Sequence, residues 1–204
     1  MKRSNPYAGG DAQTRRAKAQ GYPARSVFKL EEIHQRTNLL RDGQRVLDLG
    51  AAPGSWSLFA SQRVGPGGRV VAIDLSEILQ VFPANVTVLQ GDALEAIDAR
   101  IIEGAPYDVV LSDMAPNTSG NKISDQARSF ELFVRAVEVA ADVGRAGSSF
   151  VGKLFMSGDF QAARRALSDR YDRVQVIRAG GSRSKSSEIF LVGSGLGARQ
   201  RTGG

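Results

Sequence analysis

Short apolar runs alternate with helical patterns along most of this chain, and that alternation limits the fold more than any other feature. Arg45-Val46-Leu47-Asp48-Leu49 reads as a first strand, followed by a glycine-rich turn and a helix over residues 55–63. Residues 64–68 are a turn, and residues 69–74 a second strand. A third strand is expected over 85–89, a helix over 93–103 and a fourth strand over 107–112. The longest helix is expected over 125–143, with Phe130, Phe133, Val134, Val137 and Ala141 on one stripe. A fifth strand over 149–155, a helix over 160–171 and two strands over 174–178 and 188–192 complete the pattern. Continuously apolar strands of this length are buried on both faces, and helices between them make parallel crossovers. The expected fold class is therefore α/β, a doubly wound sheet with helices on both faces. The closing strands have no helix between them, so one should run antiparallel.

With 204 residues, the chain is expected to form one domain, residues 22–193. Before it, residues 1–21 read as a basic flexible arm. An amphipathic helix then begins near Ser26, a possible N-cap, with Val27, Leu30 and Ile33 on its apolar side. Residues 194–204 read as a disordered tail. Cysteine is absent, which excludes disulfides, thiolate nucleophiles and thiolate metal sites. His34 is the sole histidine, so a multi-histidine metal site or a serine–histidine–aspartate triad is not expected, and base chemistry falls to carboxylates or lysines. No apolar run approaches the ~20 residues of a membrane span, and the N-terminus lacks the apolar stretch of a secretory signal. A cytoplasmic protein without membrane association is expected.

Charge is unevenly placed. Residues 1–30 carry seven Lys or Arg against one acid, residues 178–204 five against one, and the stretch between them is acidic. Basic ends on an acidic middle suit a polyanion such as nucleic acid, and equally suit solvated, solubilising tails.

In a doubly wound sheet, ligands bind beyond the carboxyl ends of the strands. The first strand runs into Asp48-Leu49-Gly50-Ala51-Ala52-Pro53-Gly54-Ser55-Trp56, where small residues let the backbone approach a ligand. Asp74 ends the second strand, where a carboxylate can accept both hydroxyl protons of a ribose. Asp92 follows the third strand and can accept from the amine of adenine. A dinucleotide turn needs a middle glycine and free N–H groups for a pyrophosphate; this one lacks that glycine and has Pro53 instead. An oxidoreductase using NAD is therefore disfavoured. A ligand with ribose and adenine but no pyrophosphate fits better, and S-adenosylmethionine has that chemistry. Its sulfonium and ammonium are compatible with Asp48. Trp56 either lines this pocket or is a core aromatic.

Polar residues at the other strand ends stand out. Asp113 closes the fourth apolar run, and Lys153 interrupts the fifth. A lysine there must be paired, neutral or at the rim of the sheet, and Asp113 can pair with it. Glu188 opens the last strand. Lys29 lies on the first amphipathic helix, where a solvated charge is the commoner outcome.

Five segments together resemble the FtsJ/RrmJ (RlmE) ribose 2′-O-methyltransferases: residues 24–33, 47–56, 112–117, 151–155 and 187–190. The resemblance spans residues 22–193. It implies a seven-stranded, Rossmann-like methyltransferase sheet with one antiparallel member. It also implies a catalytic tetrad at Lys29, Asp113, Lys153 and Glu188, and cofactor contacts at Gly54, Trp56, Asp74, Asp92 and Asp113, with no metal. Ser55 stands where the bacterial rRNA enzymes commonly have glycine, and Gly144-Arg145-Ala146-Gly147 where a Pro-Gly-Gly turn is usual.

The activity so implied is methyl transfer from S-adenosylmethionine to a ribose 2′-hydroxyl of RNA. Lys153 is the expected base, with Asp113 orienting it and the donor, and Lys29 and Glu188 steering the ribose. Burial and Lys29 would favour neutral Lys153, whereas Asp113 opposes this, and residues alone do not rank the two. The expected partner is a uridine of 23S rRNA in the large ribosomal subunit, with the enzyme a monomer. Relatives of this type that act on tRNA or mRNA caps are the alternative, and a non-catalytic RNA-binding module is a further one. Lys2, Arg3, Arg15, Arg16, Lys18 and Arg25 would contact phosphates, with Arg183 and Lys185 bordering the cleft.

Overall fold

In a computed structural model, the structure describes residues 8–94, 99–117, 119–180 and 188–197. The elements are α1 (Ala8–Ala19), α2 (Val27–Thr37), β1 (Arg45–Leu49), α3 (Ser55–Val64), β2 (Arg69–Asp74), β3 (Val86–Gln90), α4 (Ala99–Gly104), β4 (Tyr107–Ser112), α5 (Lys122–Val143), β5 (Gly144–Phe155), α6 (Phe160–Ser168), β6 (Tyr171–Ile177) and β7 (Glu188–Leu196). The strands form one sheet in the order β3-β2-β1-β4-β5-β7-β6. Only β7 runs against the others, antiparallel to both β5 and β6. The doubly wound α/β class and its single antiparallel strand are as the sequence pattern predicts.

The two-residue period of the strands sorts their side chains onto two cores. Val46, Val70, Val109, Leu111, Val151, Phe190 and Val192 pack with α2 and α3 on one face. Leu47, Leu49, Val71, Ile73, Val110, Phe150 and Leu154 pack with α5 and α6 on the other. The stripe expected on α5 is partly rotated: Phe133, Ala136, Val137 and Ala140 are buried, while Phe130, Val134 and Ala141 flank them. Asn121 caps this helix, its side-chain oxygen accepting from the N–H groups of Ile123 and Ser124.

Several local expectations differ from the structure. Residues 8–19 form α1 where a flexible arm was expected. Ala17 is fully buried in the α2–α3 core, and the Arg16 guanidinium lies 4.5 Å from the centre of the Phe28 ring. One small residue on a polar helix gives no apolar stripe, so periodicity misses it. Ser26 occupies the N-cap of α2, but with helical dihedrals and no side-chain capping bond. Helix α6 stops at Ser168, because Tyr171 opens β6 and buries its ring near Phe150. Strand β5 starts at Gly144, before the 149 expected, and its start is irregular: Tyr107 pairs with Gly144, but Val109 with Ser149. Strand β7 continues to Leu196, so the domain extends past residue 193 and the ordered chain replaces the first part of the expected tail. Residues 1–7, 95–98, 118, 181–187 and 198–204 lie outside the described residues, and with them Lys2, Arg3, Arg183, Lys185, part of the helix expected over 93–103 and the rest of the tail. Among the described residues, no helix is long and apolar enough to cross a membrane.

Gly152 shows how tightly the second core is filled. A Cβ there would come within 2.6 Å of Phe150 Cζ and 2.8 Å of Phe133 Cε2. Gly152→Ala should therefore cost about 1–3 kcal/mol through overpacking, read as a lower urea midpoint.

Candidate active site

Strand register gathers the polar residues on the α2–α3 side of the sheet. Asp48 pairs in register with Ala72 on β2 and with Leu111 on β4. Asp74 and Asp113 lie two residues further along those strands, so they share the face of Asp48. Strand β5 continues the row. Leu111 pairs with Val151, which brings Lys153, two residues on, beside Asp113. On β7, Phe190 is opposite Lys153 and Glu188 opposite Phe155, again on this face.

The four candidate catalytic residues meet as two ion pairs. Lys153 Nζ lies 2.8 Å from Asp113 Oδ1 and donates to the Asp113 carbonyl oxygen at 2.6 Å. Lys29 Nζ lies 2.5 Å from Glu188 Oε1 and 5.8 Å from the centre of the Phe190 ring. The Lys153 side chain is only 9% exposed, so its charge is met almost entirely by protein. Each lysine faces its own carboxylate. The charge paired with Lys153 is thus Asp113.

Helix α2 delivers Lys29, and α3 holds α2 in place. The Ser55 hydroxyl accepts from Ala24 N–H at 2.8 Å and donates to the Ala24 carbonyl at 3.1 Å. The Trp56 indole N–H donates to the Ser26 carbonyl at 2.9 Å, and Tyr22 donates to Gln62 at 2.7 Å. Trp56 is 3% exposed and stands 5.7 Å, ring to ring, from Phe190. Its side chain is thus packed in the core between α2 and Phe190. The Ser55 clamp was not foreseen, since a serine at the start of a helix carries no sign of a distant partner.

The turn between β1 and α3 is a backbone cradle. Gly50 has φ +73° and Gly54 φ +106°, both left-handed. A Cβ on Gly50 would reach within 2.5 Å of Met114 Cγ, and one on Gly54 within 2.8 Å of Phe82 Cζ. The irregular segment between β2 and β3 thus leans on the turn, and it leaves Leu75, Leu79 and Val81 strongly exposed. Asp74 braces the cradle: Oδ2 accepts from Ala52 N–H at 3.0 Å and Oδ1 from Ser76 N–H at 2.7 Å. Asp92 accepts from Leu94 N–H at 2.8 Å. Both carboxylates retain lone pairs for a ligand. A turn that only glycine can line, with acids at neighbouring strand ends, fits an adenosine carrying a cationic amino-acid tail. The first-turn N–H groups of α3, including that of Trp56, have no acceptor within the helix and suit the tail's carboxylate. Among the described residues, no three His, Asp or Glu side chains are grouped to hold a metal ion.

Beneath the turn, Asp48 is fully buried. Its Oδ2 accepts from the Ser57 hydroxyl at 2.6 Å, while Oδ1 has no hydrogen-bond partner. Burial pushes its carboxyl up from 3.8 to about 7; the Ser57 bond opposes this, and Asp113 and Asp74 add to it.

A sheet of this topology, with a glycine cradle and strand-end acids, defines the Rossmann-like methyltransferases as a class. The family model described as FtsJ-like methyltransferase matches residues 22–196, and the chain belongs to that family. It is 60% identical over 203 residues to a Ribosomal RNA large subunit methyltransferase E of Sorangium cellulosum, covering 100% of this chain and 96% of that one. A protein of the same description from Nitratidesulfovibrio vulgaris is 49% identical over 180 residues, covering 87% and 88%. Among solved structures, a Plasmodium falciparum protein described as a ribosomal RNA methyltransferase shares the fold at TM-score 0.76 and 24% identity, over 87% of this chain and all of that one. A SAM-dependent O-methyltransferase from Thermotoga maritima shares it at TM-score 0.58 and 14% identity, over 83% and 65%.

The raised Asp48 has a consequence for stability. The native state holds this proton more tightly than the unfolded chain, so the associated stability is complete below about 4 and is lost as pH rises to about 7. Asp48→Asn, neutral at every pH, should melt near the wild-type temperature at pH 4 and above it at pH 8, as calorimetry would record.

Proposed function

We propose that this protein transfers a methyl group from S-adenosylmethionine to a ribose 2′-hydroxyl of large-subunit ribosomal RNA, a uridine of 23S rRNA being the expected target. The observation that carries this reading is the Lys153–Asp113 pair at the strand ends, within the same row of residues as the cofactor cradle. The rRNA substrate rests on the relatives, which are described as acting on large-subunit rRNA and match the chain over nearly its whole length. That substrate also favours a cytoplasmic site of action.

S-adenosylmethionine supplies a methyl carbon already activated by its sulfonium. Gly54, the main chain at Trp56, Asp74 and Asp92 would hold its adenosine and amino-acid ends, and Asp113 its reacting end. Lys29 and Glu188 position the ribose, so that the 2′-oxygen lies in line with the methyl carbon. As the oxygen–carbon bond forms and the sulfur–carbon bond breaks, the hydroxyl proton would pass to Nζ of Lys153 once that amine has given up the proton of its ion pair with Asp113. The sulfur leaves as a neutral thioether. Asp113 fixes the lysine's position through both its carboxylate and its carbonyl.

Helix α1 carries part of the basic end, Arg15, Arg16 and Lys18. Arg16 and Lys18 are exposed, and Arg16 lies on Phe28, the neighbour of Lys29 in sequence. Phosphates reaching Lys29 would pass this helix. Deleting residues 1–20 would remove the buried Ala17 as well as charge, so point substitutions isolate the electrostatic role.

Lys153→Ala should abolish transfer of tritiated methyl groups to large ribosomal subunits while S-adenosylmethionine still binds; turnover near the wild-type rate would refute its role. Replacing Arg16 and Lys18 together by Ala should lower the slope of log affinity against log salt by roughly one to two units and leave cofactor affinity unchanged. An unaltered slope would leave α1 as a solubilising helix.

A further inference from the structure

Asp48 is the one fully buried carboxylate of the site that the proposed chemistry does not use. It projects from β1 toward α3, under the glycine cradle. Every charged group around it can be read from the elements packed there. Helix α3 presents Ser57, a neutral donor, to Oδ2. Strand β2 brings Asp74 and the end of β4 brings Asp113, both on the same face of the sheet two residues further along. Beyond Asp113 stands Lys153, committed to that carboxylate, and on α2 Lys29 is committed to Glu188. The charges that act on Asp48 are therefore negative, and Oδ1 is left without a hydrogen-bond partner.

A buried carboxylate in that setting is stable as the neutral acid, and it becomes stable as the anion when a cation arrives. The amino-acid end of S-adenosylmethionine brings two cations, a sulfonium and an ammonium. We propose that Asp48 is a proton-linked counter-charge for this ligand: it is neutral in the empty site and releases its proton to solvent when the cationic end of the ligand settles above it. The carboxyl O–H bond breaks, the proton goes to the bulk, and the carboxylate left behind faces the ligand's charge. Asp48 is a positioning residue in this scheme, and Ser57 holds its other oxygen. The inference rests on the reading of the site as one for S-adenosylmethionine. The raised carboxyl range agrees with the geometry and sets the pH window.

Calorimetric titration of S-adenosylmethionine into the full chain tests this, in buffers of low and high ionisation enthalpy at pH 6. The ligand's own α-amino group is fully charged there and contributes no proton. The expected result is a release approaching one proton per site, with affinity rising roughly fivefold from pH 6 to pH 7. In Asp48→Asn both the buffer dependence and this pH dependence should vanish. In Ser57→Ala, where the bond favouring the carboxylate is gone, release should persist to higher pH than in the wild type, which keeps the test open if the asparagine variant does not fold. Binding with heat independent of buffer, or an unmoved window in Ser57→Ala, overturns the counter-charge role and leaves the proposed activity standing. No binding of S-adenosylmethionine at any pH overturns both.

Discussion

The alignment of β4 with β5 is the constraint on which the site depends. In-register parallel pairing places Lys153 directly beside Asp113, and the two-residue period turns both toward α2 and α3. A slip of one residue would turn the lysine to the opposite face, among Phe133, Phe150 and Leu154. Gly152 helps hold the register, since the rings of Phe150 and Phe133 fill the space a larger residue would need. The same period carries Asp48, Asp74 and Glu188 onto the active face, so one geometric rule assembles residues that lie far apart in sequence.

The second requirement is that α2 stay fixed over this row. The segment leading into it is joined to α3 by part-buried bonds of different kinds, the Ser55 hydroxyl on Ala24 and the Trp56 indole on the Ser26 carbonyl. Helix α3 begins at the glycine cradle. The element carrying Lys29 and the element shaping the ligand turn are therefore one packed unit, and each constrains the other. Trp56 thus acts as a structural tie, with its ring against Phe190 on the strand that carries Glu188.

Much of this was legible in the residues. The apolar strands and intervening helices predicted the sheet, and the lack of a helix between the closing strands predicted that one of them is reversed, without saying which. Asp113 and Lys153 were visible because charge interrupts or closes an otherwise buried run. Less legible were features without a periodic signal. Helix α1 buries a single alanine, the Ser55 clamp depends on a backbone segment 31 residues away, and Tyr171 leaves the helical pattern to open a strand. Asp48 was noticed as a charge near the turn, but nothing in the sequence tells that one of its oxygens lacks a partner.

By itself the sequence determined the α/β class, a turn of small residues and glycines after the first strand and the set of polar residues at strand ends, because hydrophobic periodicity and the steric freedom of glycine are local properties. The tertiary structure decided which lysine meets which carboxylate, that Trp56 belongs to the core and that Asp48 is enclosed with like charges beside it. Those outcomes depend on distances between segments remote in sequence, and strand register and helix packing set such distances only when the chain is folded.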